Sequence, residues 1–77
     1  MMKILINKGN ICIIENDTEI YCISYETLIA TYNKLTNSYT IVNTYTANGE
    51  EIKLSRTSRK HQNLFKREYI PTDAQQV

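Results

Sequence analysis

Apolar and polar residues alternate with a period of two along the first fifty-odd positions, and the period then changes once. Residues 3–6 and 11–15 are short runs rich in β-branched side chains, joined by the turn-forming segment Asn7-Lys8-Gly9-Asn10. The polar Asn16-Asp17-Thr18 leads into a third run, residues 19–25. Residues 27–33 alternate again, with Leu28, Ala30 and Tyr32 on one side and Thr27, Ile29 and Thr31 on the other. Lys34 to Ser38 reads as a loop. Tyr39 to Thr46 reads as one strand, placing Tyr39, Ile41, Asn43 and Tyr45 against Thr40, Val42, Thr44 and Thr46. Asn48-Gly49 is the strongest hairpin signal in the chain and returns it into Glu51-Ile52-Lys53-Leu54.

After Leu54 the period becomes helical. A helix over 56–69 gathers Thr57, His61, Leu64, Phe65 and Tyr69 within about 140° of arc, a packing face with Glu68 as its one blemish. Ser55 and Thr57 are both suitable N-caps, since a hydroxyl there accepts a free backbone N–H. Pro71 ends the helix. The pattern predicts an α+β fold: an antiparallel, meander-like sheet of about five or six strands with one C-terminal amphipathic helix packed on one face. It predicts one domain over residues 1–70 and a flexible tail over 71–77.

Composition agrees with a sheet. The chain has 77 residues, with 11 Ile, 9 Thr and 6 Tyr against three Ala, and these residue types suit a pleated surface. A chain of this length is stabilised by only roughly 4–12 kcal/mol, and its size excludes a multi-domain enzyme or a large cofactor barrel. The richness in Ile, Asn, Lys and Tyr is what an AT-rich genome encodes. The longest apolar run, Ile11 to Ile14, is far short of the roughly 20 residues of a spanning helix. The polar Asn7 comes too early for a signal peptide, so a cytoplasmic location is expected. Cys12 and Cys22 each stand five residues from Asp17, so a turn centred there places them opposite each other on paired strands. In a reducing compartment they are expected as two buried thiols rather than a disulfide.

Charge changes the picture most. Residues 1–52 carry Lys3, Lys8 and Lys34 against six acids, a net of −3. Residues 53–77 carry six cations against Glu68 and Asp73, a net of +4. On the helix, Arg56, Arg59, Lys60, Lys66 and Arg67 share an arc of about 120° with Asn63 in its middle, opposite the apolar stripe. Like-charged neighbours at these spacings oppose helix formation, and cations in the first turn oppose the helix dipole. An anionic partner would remove that cost. The competing reading is that Glu15, Asp17, Glu19 or Glu26 neutralise the face from the sheet, or that water alone solvates it.

Candidate chemistry is sparse. His61 is the only histidine and sits on the apolar stripe, so packing is its expected role. Glu15, Asp17 and Glu19 surround one turn but lack a calcium-loop pattern. Two cysteines and one distant histidine do not make a zinc site. Gly9 and Gly49 stand alone, so there is no phosphate-cradling loop. No catalytic residue, metal or cofactor is implied, and the chain is expected to be non-enzymatic.

Two segments carry a resemblance. Ser24-Tyr25-Glu26-Thr27-Leu28-Ile29-Ala30 is followed, after 24 residues, by Ser55-Arg56-Thr57-Ser58-Arg59-Lys60-His61-Gln62-Asn63-Leu64-Phe65. This resembles a group of small uncharacterised proteins of phages and prophages of low-GC bacteria, with the patterns SY-x-T-x-[IV]-A and S-x-T-[TS]-[KR]-x-H-x-x-x-F. Leu54 departs from that group, which has an aromatic residue before the Ser of the second pattern. The resemblance implies a phage setting and no assigned activity. The expected function is therefore an accessory protein that binds an anionic partner through Arg56, Arg59, Lys60, Asn63, Lys66 and Arg67. The best-fitting role is an inhibitor of a host defence system, of anti-CRISPR type, acting on a host protein or nucleoprotein complex. The alternatives are direct nucleic-acid binding, or an assembly role through sheet edges. No membrane partner is expected, and a homodimer is left open.

Overall fold

Eight strands and one helix form in a computed structural model that describes residues 1–77. They are β1 (Lys3–Lys8), β2 (Ile11–Glu15), β3 (Glu19–Ser24), β4 (Thr27–Asn33), β5 (Ser38–Ile41), β6 (Thr44–Ala47), β7 (Glu50–Lys53), α1 (Arg56–Tyr69) and β8 (Gln75–Gln76). The first five and the last make one sheet in the order β1-β2-β3-β4-β5-β8, and β6 and β7 make a separate hairpin. All pairs are antiparallel except β5 with β8. The fold is α+β, with α1 lying against β3 and β4 on one face of the large sheet. The core between them comprises Ile11, Ile13, Ile20, Cys22, Ile29, Ala30, Tyr32, Leu54, Phe65 and Ile70. No helix is long and apolar enough to cross a membrane.

Several sequence expectations are corrected. The segment 39–46 is two strands, broken at Val42 and Asn43. A bulge in β4 lies beside this break: Cys22 pairs with Ala30 and Ile23 with Leu28, leaving Ile29 between them. Ile29 and Ala30 are both fully buried, so the expected alternation of 27–33 fails there. Val42 N–H still donates to Ile29 O (2.9 Å), while Leu54 N–H donates to Asn43 O (3.1 Å) and draws the chain into the hairpin. Asn48-Gly49 turns that hairpin with positive φ at both residues, as the dipeptide predicts.

The cysteines are one register step from the expected pairing. Cys12 faces Ile23 and Ile13 faces Cys22, so the two thiols point to opposite sheet faces and both are free. The loop explains the shift: Asn16 Oδ1 accepts from Thr18 N–H (2.9 Å) and Glu19 N–H (2.7 Å), closing a four-residue turn. Cys22 is buried as expected, whereas Cys12 is only half-buried. The segment 71–77 also departs from a free tail. Gln75 and Gln76 pair with Ser38 and Tyr39, and Val77 N–H donates to Tyr39 O at 2.9 Å.

Candidate functional site: the outward face of the helix

The side chains that point α1 outward are those that hold its inner face. Ser55 is the N-cap, its hydroxyl accepting from Ser58 N–H at 3.2 Å. The inner face is rotated from the hydrophobic stripe. Thr57 is exposed, and the buried helix residues are Ser58, Gln62 and Phe65, flanked by half-buried His61, Leu64 and Tyr69. Gln62 Nε2 donates to Ile29 O (2.9 Å) and Val42 O (2.6 Å), the carbonyls beside the β4 bulge and the β5 break. Ser24 Oγ lies 3.0 Å from Ser58 Oγ and 2.7 Å from His61 Nδ1. Cys22 Sγ donates to His61 O at 3.9 Å. These polar bonds, unlike apolar packing, fix the rotation of the helix about its axis, because each has one geometry. No buried side-chain polar atom lacks a partner.

Sequence patterning missed Ser58 and Gln62, since a helical stripe is drawn from apolar residues and their partners lie on distant strands. The two segments that carry the resemblance, 24 residues apart in sequence, meet in the fold. Ser24 from the first meets Ser58 and His61 from the second, and Ile29 of the first receives Gln62 of the second.

With that rotation, Arg56, Arg59, Lys60, Asn63, Lys66 and Arg67 are all exposed on one side of α1. From Arg56 to Arg67 the face runs about 16 Å along the axis. Its only ion pair is Arg67 with the neighbouring Glu68 (3.6 Å), both largely exposed and therefore weakly coupled. The sheet acids named as possible neutralisers are committed elsewhere or apart. Glu15 pairs with Lys34 (3.0 Å), Asp17 with the N-terminal amine (3.1 Å), and Glu19 accepts from the Tyr21 hydroxyl (3.0 Å). Glu26 forms no ion pair. No acid occupies the first helical turn, so Arg56 and Arg59 face the positive end of the dipole uncompensated. Lys66 and Arg67 sit favourably in the last turn, and Lys66 Nζ lies 5.5 Å above the Tyr39 ring.

Two clefts flank this face. One, of about 430 Å³, is bordered by Tyr39, Asn63, Lys66 and Arg67. The other, of about 270 Å³, is bordered by Asn43, Thr44, Lys53 and Arg59. Each sets cationic side chains beside neutral hydrogen-bonding groups and apolar ones, Ile70 and Pro71 in the first and Leu54 in the second.

A third cleft, of about 380 Å³, opens beside Ser24, Tyr25, Ser55 and Ser58. The Ser24–His61 contact has a nucleophile–base distance, but Ser24 is only 1% exposed and no carboxylate orients the imidazole. Burial pushes the His61 pKa below its ordinary value, favouring the neutral ring. Tyr25 leans over that ring at 6.4 Å between centroids. It shares with Glu26 the two-residue turn between β3 and β4, both with positive φ (49° and 66°). No group of three or more His, Cys, Asp or Glu side chains is gathered to hold a metal ion. Comparison of the chain with protein-family models, curated proteins and solved structures returns no match in any of the three.

Proposed function

We propose that this chain is a non-enzymatic binding protein that engages an anionic partner through the outward face of α1, with Arg56, Arg59, Lys60, Asn63, Lys66 and Arg67 as the contact residues. The observation that carries the reading is the isolation of the charge. Of five cations on one helical face, only Arg67 has an acidic partner, and that partner is its own exposed neighbour. A small domain tolerates the mutual repulsion, and a polyanion or acidic surface relieves it. The buried position of Ser24 and the missing third group beside His61 support the non-enzymatic half of the reading.

In the phage setting that the motif resemblance implies, the partner is a host protein or nucleoprotein complex in the bacterial cytoplasm. Binding then inhibits a defence system, in the manner of an anti-CRISPR protein. Direct nucleic-acid binding is the second reading, favoured by the clefts, where Lys53, Arg59, Lys66 and Arg67 stand beside Asn, Thr and one Tyr. A gel shift over a salt series separates the two. If all five helix cations meet duplex phosphates, log K falls with log[salt] with a slope of about −4 to −5. A protein inhibitor leaves free DNA and RNA unshifted and is instead captured with a host protein from lysate after nuclease treatment. In either case R59E/K60E/R67E must abolish binding with the far-UV spectrum unchanged. Retained binding by that folded variant contradicts both readings.

A further inference from the structure

The strands β2 and β3 are apolar on both sides, yet the chain has only one helix to cover them. Ile11, Ile13, Ile20 and Cys22 turn toward α1 and are buried. The alternate residues Cys12, Ile14, Tyr21 and Ile23 turn to the other face and are only half-buried. Pairing widens this second face into a patch. Ile4 stands opposite Ile14 and Ile14 opposite Tyr21, while Cys12 stands opposite Ile23 and Ile23 opposite Leu28. Ile4 is 62% and Leu28 42% exposed. An antiparallel sheet with one wet face ordinarily carries polar residues there. Farther along, this sheet does so, with Thr31 and Thr40 paired across β4 and β5. Across β1 to β4, Ile4, Cys12, Ile14, Tyr21, Ile23 and Leu28 form an apolar cluster, bordered by Asn7 opposite Cys12, by Thr31 opposite Tyr21 and by Glu19.

We propose that a second copy of this chain covers the patch, sheet face against sheet face, in a twofold dimer. Three observations select a second copy as occupant. The patch residues carry no charge, so two identical patches meet without repulsion; Glu19 lies at the rim, taken up by the Tyr21 hydroxyl. The patch lies on the sheet face away from the cationic helix, so an anionic partner of α1 has no reason to occupy it. Area agrees as well. The chain exposes 5411 Å², whereas a monomer of its 9.0 kDa mass ordinarily exposes about 4,850 Å². Two copies that each hid an area the size of that difference at the patch would bury about 1,100 Å² together, enough for a specific but modest interface. Packed sheets about 10 Å apart would leave both basic helices on the outer surfaces. The proposal is independent of what those helices bind.

Sedimentation equilibrium over a concentration series tests it on the intact chain. The wild-type mass is expected to rise toward twice 9.0 kDa, and Ile14→Lys is expected to stay at the single-chain mass with an unchanged far-UV spectrum. A wild-type chain that remains monomeric up to millimolar concentration overturns the proposal. So does a folded Ile14→Lys variant that still dimerises, which would place the contact elsewhere, as at the β1 edge. Should that variant not fold, Cys12 serves on the wild type. Its alkylation rate must drop several-fold as concentration rises through the dimer range, and a constant rate overturns the proposal.

Discussion

Replacing Gln62 by Met keeps the side-chain volume of a buried helix position and deletes two hydrogen bonds. In the native protein its amide donates to Ile29 O at 2.9 Å and to Val42 O at 2.6 Å. Ile29 O keeps a second donor, Val42 N–H, so its loss is partial. Val42 O has no other side-chain donor and is left beside an apolar thioether. Val42 O is only part-buried, so its loss falls near the low end of the about 1–3 kcal/mol that an orphaned acceptor costs, and the weakened, buried Ile29 carbonyl adds up to about 1 kcal/mol. The added apolar burial of Met returns part of this. The expected net loss is about 1 kcal/mol, a twelfth to a quarter of the roughly 4–12 kcal/mol available to 77 residues. Urea unfolding followed by circular dichroism measures it, as a lower midpoint at unchanged slope. A midpoint equal to wild type would refute the claim that Gln62 fastens the helix to the β4 bulge.

Other consequences are equally specific. The His61 pKa is lowered from 6.5 in the fold, so the unfolded chain binds the proton first as pH falls. This contribution is complete above pH 6.5 and declines as pH drops below it, and thermal scans should show a decline that His61→Gln lacks; parallel curves would contradict it. Burial, reinforced by the nearby Cys12, pushes the Cys22 thiol up to about 12. Dilute native protein should therefore alkylate at Cys12 alone, with Cys22 reacting only in denaturant; equal native rates would disprove the register. Glu26, at φ 66° without a glycine, should gain about 1 kcal/mol on replacement by Gly, which adopts that φ freely. A destabilised Glu26→Gly in urea would show that the turn is not strained.

Much of this architecture is legible in local pattern. Two-residue periodicity marks the strands, the change of period at Leu54 marks the helix, and Asn48-Gly49 marks its hairpin. The outward cations are legible for the same reason: Arg56, Arg59, Lys60, Lys66 and Arg67 need no partner to be exposed. What escapes local pattern depends on distant neighbours. Ser58 and Gln62 are buried because Ser24 and the carbonyls of Ile29 and Val42 receive them, and the bulge that presents Ile29 leaves no mark in the alternation. The Cys12–Cys22 register turns on whether the loop after Glu15 spans three or four residues, a choice made by Asn16 Oδ1. The return of Gln75 and Gln76 to the sheet depends on an edge of β5 that a linear reading does not expose.

The central claim is that the outward face of α1 is a binding surface for an anionic partner. Parallel capture from a bacterial lysate, with immobilised wild type and R59E/K60E/R67E, tests it most directly when each is eluted by a salt gradient. The account predicts that wild type retains a discrete anionic component, released by salt, and that the folded charge-reversed chain retains none. The same component on both chains would contradict it.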